Sequence, residues 1–190
     1  MELLKQRILR DGKVYPGNIL KVDSFLNHKI DTSLTREMAR EFSAIFAGTG
    51  VQKILTVEAS GIALAFAVAC EFGVPLVFAK KSQTKNLSSA VYSACAASYT
   101  HGCQYDLIVA KEHIAAHEKI LVIDDFLALG EALDGLFGIC KQARAEIIGA
   151  GIAIEKGFQG GGDRLRERGL RIESLAIIQS MDSGSIVFRD

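Results

Sequence analysis

Apolar, β-branched runs alternate with helical segments along most of this chain, and that alternation limits its possible folds more than any other feature. The runs with strand character are residues 53–57, 75–79, 120–123, 146–154, 172–177 and 185–188. Helical spacing of apolar residues is found at residues 34–45, 62–72 and 131–143. Strands joined by crossover helices build a parallel sheet with helices on both faces. We therefore predict an α/β fold around a parallel twisted sheet flanked by helices on both faces.

Length and composition suit one folded unit. The 190 residues are 49% hydrophobic, whereas disordered chains combine low hydrophobicity with high net charge. The 22 basic and 22 acidic residues cancel, which disfavours a protein that binds nucleic acid through a global positive charge. We predict a single domain over residues 1–190, with a core at about residues 33–178. Residues 1–32 and the C-terminal segment are expected to form a small hood beside that core.

Neither a membrane span nor a disulfide framework is predicted. The apolar run at residues 62–70 is cut off by Glu71, well short of the roughly 20 residues that a spanning helix needs. The first residues carry scattered charges and no apolar signal-peptide core. The cysteines form no CxxC pair and have no zinc-like spacing. They are Cys70, Cys95, Cys103 and Cys140. We therefore expect reduced thiols, a cytoplasmic location and no membrane partner.

Charged and small residues follow four of the predicted strands. In doubly wound sheets, ligands bind outside the carboxyl ends of the strands, at the point where the strand order reverses. The segments expected at that edge begin at Glu58, Lys80, Asp124 and Glu155. Each of them carries groups that can handle an anion. The sequence therefore predicts one ligand site assembled from these four segments.

The strongest single signal lies at residues 120–132, where a buried strand ends in Asp124 and Asp125 and a small-residue turn opens a helix. Backbone N–H groups at such a turn, aided by the helix dipole, form a phosphate cradle. The two carboxylates repel phosphate, but they can accept hydrogen bonds from ribose hydroxyls. A cradle beside a diol acceptor fits a ribose 5-phosphate group. The simpler alternative is a strand end with two solvated acids and an ordinary helix start.

With this motif the chain resembles the type I phosphoribosyltransferases, which have a Rossmann-like sheet, and within them the xanthine phosphoribosyltransferases. Residues 20–28, 58–62 and 154–159 carry the same resemblance, in the same order and spacing. It implies transfer of the phosphoribosyl group of 5-phosphoribosyl-1-pyrophosphate (PRPP) to xanthine in purine salvage. The implied products are xanthosine 5′-monophosphate and pyrophosphate, with Mg²⁺ bound to PRPP and pyrophosphate. The resemblance also implies a homodimer.

The candidate site residues fall into groups by ligand. Asp124 and Asp125 are the candidate catalytic residues, which contact the ribose hydroxyls, and one of them is expected to assist proton transfer from purine N7. The candidate PRPP ligands are Ala128, Leu129, Gly130, Glu131 and Ala132 for the 5-phosphate, and Glu58, Ala59, Ser60, Gly61, Lys80 and Lys81 for the pyrophosphate. By resemblance, Leu20, Asn27 and Lys156 hold xanthine. No protein metal ligand is expected, because Mg²⁺ keeps its waters and binds mainly through substrate oxygens.

Several of these positions also have simpler interpretations. Leu129 departs from the family pattern of small or polar residues, which is tolerable if backbone amides alone hold the phosphate and unfavourable if a side chain is needed. Ser60 fits an ordinary helix cap, and Lys80 with Lys81 fits a solvated pair placed after a strand. The polar segment 82–89 fits either a lid or a surface loop, and glycines 160–162 favour a flexible loop ahead of a helix capped by Asp163.

Three other functions remain as alternatives. The first is a regulator that senses PRPP and binds nucleic acid, which the balanced charge and the lack of a basic domain disfavour. The second is a phosphoribosyltransferase that prefers guanine or hypoxanthine. The third is a nicotinamide-dependent oxidoreductase, which the missing glycine fingerprint disfavours.

Overall fold

The computed structural model describes residues 1–82, 90–97, 104–182 and 185–189. The helices are α1 (Glu2–Asp11), α2 (Thr32–Ile45), α3 (Gly61–Phe72), α4 (Glu131–Ala143) and α5 (Gly161–Glu167). The strands are β1 (Lys13–Tyr15), β2 (Ile19–Lys21), β3 (Lys53–Val57), β4 (Leu76–Ser82), β5 (Val91–Ala97), β6 (Gln104–Ala110), β7 (Lys119–Leu127), β8 (Glu146–Lys156), β9 (Ile172–Asp182) and β10 (Ser185–Phe188). A short π-helical turn covers Asp23–Asn27, and 3₁₀ turns cover Lys111–His113 and Gly157–Gln159.

The central sheet has eight strands in the order β10-β9-β8-β7-β3-β4-β6-β5. Its middle is parallel, since β9, β8, β7, β3 and β4 run in one direction. Antiparallel strands extend both sides, with β10 on β9 and the pair β6–β5 on β4. The predicted α/β fold is confirmed, and β5 pairs with β6 in antiparallel register. The segment that joins those two strands lies outside the described residues.

Helices cover both faces of the sheet. On one face, α1, α2 and α3 bury apolar side chains such as Leu4, Phe42 and Leu64 against β7 and β8. On the other face, α4 packs Leu136 and Ile139 against the same strands. Asp31 caps α2 by accepting bonds from the backbone N–H groups of Ser33 and Leu34, as the sequence allows. Within the described ranges, no helix is both long and apolar enough to cross a membrane.

The two central strands β3 and β7 part before they reach their carboxyl ends. Their register stops at Leu55 opposite Val122, whereas β7 stays paired to β8 as far as Leu127 opposite Glu155. The helix that follows β3 packs on one face, and the helix that follows β7 packs on the other. This is the switch point at which a doubly wound sheet opens a crevice.

The N-terminal segment packs against β9 and reaches the carboxyl end of β8. The terminal amino group of Met1 donates to the carbonyl oxygen of Leu175 at 2.6 Å. Arg7 of α1 pairs with Asp31 at 2.7 Å, and Lys156 donates to the carbonyl oxygen of Asn18 in the β1–β2 hairpin at 2.9 Å. The division into hood and core remains a prediction. The three contacts show only where the N-terminal segment lies on the sheet.

Local predictions fail at three places. Lys80 and Lys81 lie inside β4 rather than after it, because β4 continues as far as Ser82 by pairing with β6. Gly161 and Gly162 are buried in α5, so the predicted flexible loop is wrong. Gly160 occupies the N-cap of that helix, and Asp163 lies in its first turn instead of capping it. The candidate lid at residues 82–89 lies outside the described residues apart from the backbone of Ser82.

Candidate active site

Asp125 connects three segments that are far apart in the chain. One carboxylate oxygen accepts a hydrogen bond from the Ser60 hydroxyl at 2.9 Å. The other accepts one from the Asn27 side-chain amide at 3.3 Å. Ser60 precedes α3, and Asn27 ends the π-helical turn. The structure therefore brings together a candidate catalytic residue, a candidate pyrophosphate ligand and a candidate base ligand.

Asp124 lies deeper than a solvated strand-end acid. Both acids are only 4% exposed, because β7 continues past them to Leu127. Burial, and then the negative charge of Asp125, raises the pKa of the Asp124 carboxyl well above its usual range. Asp124 accepts the backbone N–H of Asp125 at 3.0 Å. The environment thus favours a proton on Asp124, which distinguishes the two carboxyl groups chemically.

The turn between β3 and α3 packs tightly against this pair. A Cβ added to Gly61 would lie 2.7 Å from Asp124 Oδ1 and would also collide with the Thr56 hydroxyl. Gly61 is therefore required for the backbone to approach the carboxyl group. The Glu58–Ala59 peptide is cis. Ser60 precedes α3 without capping it by its side chain, so the interpretation of Ser60 as an ordinary cap is wrong.

The neighbouring lysines differ in their relation to the site. Successive side chains of a strand point to opposite faces, so Lys80 and Lys81 of β4 do not both face the crevice. The backbone N–H of Lys81 donates to the Glu58 carboxylate at 2.6 Å, and the charge of Lys81 acts on Asp124. The structure therefore associates Lys81 with the site, and strand alternation places Lys80 on the opposite face of β4.

The turn between β7 and α4, residues 128–132, is named here the phosphate loop. Gly130 has a φ of 89° and forms the N-cap of α4, a conformation that glycine adopts without strain. A Cβ at Gly161 would collide with the carbonyl of Ala128, so the start of α5 lies directly behind this loop. Arg164 of α5 donates to the Leu129 carbonyl at 3.0 Å. Leu129 itself is 38% exposed, consistent with a loop that offers its backbone.

A cavity of about 530 Å³ opens beside the phosphate loop. On its other side lie Lys156 and Gln159, from the turn that follows β8 and that we name the base turn, residues 156–159. The Nζ atom of Lys156 is 5.7 Å from the centre of the Phe126 ring, and burial lowers the pKa of this lysine. The side-chain oxygens of Gln159 and Glu131 are buried with no hydrogen-bond partner. The cavity therefore combines an aromatic face with polar groups that a ligand can satisfy.

Leu20 does not line this cavity within the described part of the chain. It is 7% exposed and belongs to the core cluster under the hairpin. Asn27 is tied to Asp125 rather than to Lys156. Both assignments as xanthine ligands stay predictions.

The described residues contain no group of three or more side chains suited to hold a metal ion. Mg²⁺ binds proteins through one or two carboxylates, with waters and substrate phosphates filling its other positions. A cation that enters with a polyphosphate substrate needs no such group, because waters and substrate oxygens supply most of its ligands.

The geometry joins a glycine-containing loop at the start of α4 to two buried carboxyl groups at a sheet switch point. Residues 21–184 match the family model described as the phosphoribosyl transferase domain. The crystal structure of adenine phosphoribosyltransferase from Saccharomyces cerevisiae superposes with a TM-score of 0.74, covering 92% of this chain and 99% of that one. At 19% identity, this likeness shows the fold alone.

Proteins of similar sequence show which group of phosphoribosyltransferases the chain belongs to. A protein of Alkaliphilus metalliredigens named xanthine phosphoribosyltransferase is 55% identical over 100% of this chain and 94% of its own length. Another of that name, from Ruminiclostridium cellulolyticum, is 51% identical over the full length of both chains. The chain belongs to the xanthine phosphoribosyltransferase family.

Three residues at or behind the site escaped the sequence analysis. Phe126 and Gln159 line the cavity, and Arg164 contacts the phosphate loop. Phe126 directly follows the two acids in the motif, so the sequence could have predicted that its ring lies beside the ligand. Gln159 and Arg164 gave no local signal, because their roles depend on how the base turn and α5 pack.

Proposed function

We propose that this protein transfers the 5-phosphoribosyl group of PRPP to xanthine, giving xanthosine 5′-monophosphate and pyrophosphate in purine salvage. The observation that carries the proposal is Asp125, which joins Asn27 and Ser60 at the switch point beside the phosphate loop. The relatives named xanthine phosphoribosyltransferase support the choice of base.

The phosphate loop holds the 5-phosphate through its backbone amides, since its residues Ala128, Gly130 and Ala132 leave the main chain accessible. The reaction breaks the bond from ribose C1 to pyrophosphate and gives the ribose cationic character. Positioning and electrostatic stabilisation then supply most of the catalysis. The turn from Glu58 to Gly61 and the charge of Lys81 face the departing pyrophosphate. Mg²⁺ bound with the substrate neutralises the pyrophosphate charge.

Asp124 and Asp125 have different roles in the proposed reaction. Asp124, whose pKa is raised, offers a hydroxyl donor to the ribose oxygens. Asp125 accepts hydrogen bonds from the ribose and receives the proton that the purine loses, because each of its two oxygens has acceptor capacity beyond the single bond from Asn27 or Ser60. The hydrogen bond from Asn27 holds Asp125 in that orientation.

Lys156 selects the base in this proposal. Its ammonium donates to a carbonyl of the purine above the Phe126 ring. A site built to hydrogen-bond a polar group rejects analogues that lack it far better than an apolar pocket can. Adenine has no carbonyl oxygen, hypoxanthine and guanine have one, and xanthine has two.

Steady-state kinetics with PRPP, Mg²⁺ and each of the four bases test this function. We expect kcat/KM to be highest for xanthine, intermediate for guanine and hypoxanthine, and lowest for adenine. Equal efficiency with adenine and xanthine would refute the role of Lys156. Tight binding of PRPP without nucleotide formation from any base would point instead to a regulator.

Assembly, location and domain division remain part of the proposal. We propose a cytoplasmic homodimer in which residues 1–32 and the C-terminal segment form a hood over the core. The ring of Phe66 on α3 is 61% exposed, and a second copy of the chain would cover such an apolar side chain. Sedimentation of the wild type and of Phe66→Ser measures the oligomeric state, and a monomeric wild type excludes the dimer.

A further inference from the structure

Arg164 lies behind the phosphate loop and holds it at one peptide. The Nη2 atom donates to the Leu129 carbonyl oxygen at 3.0 Å and to Asp134 Oδ2 at 2.6 Å. Asp134 belongs to the first turns of α4, the helix that the loop opens. One guanidinium group therefore ties the loop to the helix from α5, an element outside the loop motif.

The contact fixes the orientation of a whole peptide unit. In a planar trans peptide, the C=O and N–H groups point in opposite directions. Because the Leu129 carbonyl points at Arg164, the N–H of Gly130 points away from it. Gly130 lines the cavity, so this N–H is available to an anion there.

The same peptide is free to flip if nothing holds it. A flip changes ψ of Leu129 and φ of Gly130, and glycine adopts either sign of φ at little cost. The flipped peptide would aim a carbonyl oxygen at the anion and withdraw an N–H from it. Such a change replaces an attractive dipole by a repulsive one.

We propose that Arg164 is a positioning residue, whose guanidinium holds the Leu129–Gly130 peptide so that the Gly130 N–H faces the 5-phosphate. The inference rests on the proposed function in one respect, that the phosphate loop binds the 5-phosphate of the substrate. Arg164 touches no substrate in this account and acts through the loop.

Arg168 provides a matched control. Its Nη1 atom lies 2.5 Å from Asp134 Oδ1, so Arg168 pairs with the same carboxylate as Arg164 does. Its hydrogen bond goes to Asp134 and not to Leu129. Both arginines are about half exposed, at 44% and 53%. Arg164→Gln and Arg168→Gln thus remove the same charge, and each amide nitrogen ends two bonds short of the Nη atom it replaces. Only the first variant therefore removes the bond to the loop.

The experiment measures calorimetric binding of ribose 5-phosphate, together with the KM for PRPP, the KM for xanthine and kcat. A hydrogen bond from a charged donor is stronger than one between neutral groups, so Arg164→Gln should weaken ribose 5-phosphate binding by about 10-fold or more. Its KM for PRPP should rise in parallel, with little change in the KM for xanthine. Arg168→Gln should stay within about 2-fold of the wild type. Arg164→Lys, whose ammonium keeps the charge and can donate to the loop, should restore much of the affinity.

An amide NMR spectrum supplies a second readout. On addition of ribose 5-phosphate, the Gly130 N–H should shift strongly in the wild type and in Arg168→Gln, but not in Arg164→Gln. Equal binding by Arg164→Gln and the wild type overturns the proposal, and so do equal losses in both glutamine variants. A wild type that binds ribose 5-phosphate but forms no nucleotide overturns only the proposed function. A wild type that binds neither ribose 5-phosphate nor PRPP overturns both.

Discussion

The phosphate loop and the base turn follow adjacent parallel strands, yet they are built in opposite ways. Leu127 at the end of β7 is paired with Glu155 near the end of β8, so the two turns start side by side. The phosphate loop offers backbone at Ala128, Gly130 and Ala132, which are small, while Leu129 is exposed. Glu131 is the exception, because one of its side-chain oxygens is buried at the cavity. The base turn instead places the side chains of Lys156 and Gln159 at the cavity.

The difference follows from what each turn has to recognise. A phosphate group is compact, strongly charged and the same in every PRPP molecule, so a ring of amides suffices for it. Purine bases share a shape and differ only in their edge groups, so side chains of chosen chemistry are needed to distinguish them. Backbone recognition therefore depends on conformation, whereas base recognition depends on residue identity.

The two turns are also anchored differently. Glu155, which is fully buried, accepts two hydrogen bonds from Arg166 at 2.9 and 2.7 Å and one from the Ser174 hydroxyl. A buried charge is tolerated only when it is paired and hydrogen-bonded in this way. The base turn thus follows a fixed ionic anchor. Arg164 and Arg166 both belong to α5, so that helix supports both turns.

Gly130→Val is expected to have the largest effect, because it tests conformation directly. The φ of 89° disfavours a β-branched residue, and the added Cβ would lie 2.9 Å from Arg164 Nη2. PRPP affinity should fall more than about 100-fold, or roughly 2.7 kcal/mol, as measured by calorimetry. Gly169→Val is the control, since Gly169 has a φ of 82° with nothing within 4 Å of an added Cβ. A folded Gly130→Val protein with near-normal PRPP affinity would contradict the backbone account.

Asp125→Asn should act on both substrates, because Asp125 bonds both Ser60, a candidate pyrophosphate ligand, and Asn27, a candidate base ligand. An amide has one acceptor oxygen and cannot take hydrogen bonds from both Asn27 and Ser60 in their present arrangement. We expect kcat/KM to fall about 100-fold for xanthine and for PRPP, within the range for acid–base residues. Asp124→Asn is the matched control and should lose less activity, because its carboxyl already favours the protonated form. Equal losses in the two variants would mean that the acids are not differentiated.

Lys156→Met should weaken recognition of the purine base and leave PRPP binding nearly unchanged. The KM for xanthine should rise about 10- to 100-fold through loss of a charged donor, while the KM for PRPP stays within about 2-fold. Lys141→Met, at an exposed position of α4, controls for the loss of a positive charge. If Lys156→Met weakened PRPP binding and left the order of base preference unchanged, the division between the two turns would be wrong.

Asp124→Asn should alter the pH dependence of stability. An unfolded aspartate titrates near 3.8, and burial raises the pKa of Asp124 in the folded protein. As pH rises from about 4, the unfolded chain therefore releases this proton first, and the free energy of unfolding decreases until folded Asp124 also ionises. The asparagine variant lacks that decrease. Urea unfolding from pH 4 to 7 should show the variant gaining stability relative to the wild type as pH rises, and a constant difference would exclude an effect of Asp124 titration.

Leu129→Asn is expected to have the smallest effect. If backbone amides carry the phosphate, PRPP affinity should stay within about 2-fold of the wild type. Calorimetric titration of PRPP measures this directly. A large gain in affinity would show that the loop depends on a side chain that this protein lacks, and would remove the contrast with the base turn.

Much of the fold was predictable because it depends on local patterns. Strand alternation gave the parallel sheet, and the bounds of α4 at residues 131–143 agree with the prediction. The family resemblance carried by residues 124–132 is confirmed by the relatives. Errors arose where a strand continues by pairing with a distant neighbour, as at Lys80 and Lys81. They also arose where packing orders a glycine-rich segment, as at Gly161.

The sequence by itself determined the α/β class, the family, and the order of the segments that reach the carboxyl edge of the sheet. These follow from apolar periodicity and from motifs whose residues are neighbours in the chain. Only the tertiary structure decided that Asp125 meets Ser60, 65 residues away, and Asn27, 98 residues away. It also decided that Arg164 holds the Leu129 carbonyl from a helix 35 residues further on. Hydrogen bonds over such separations depend on how whole elements pack, and no local pattern of side chains encodes that geometry.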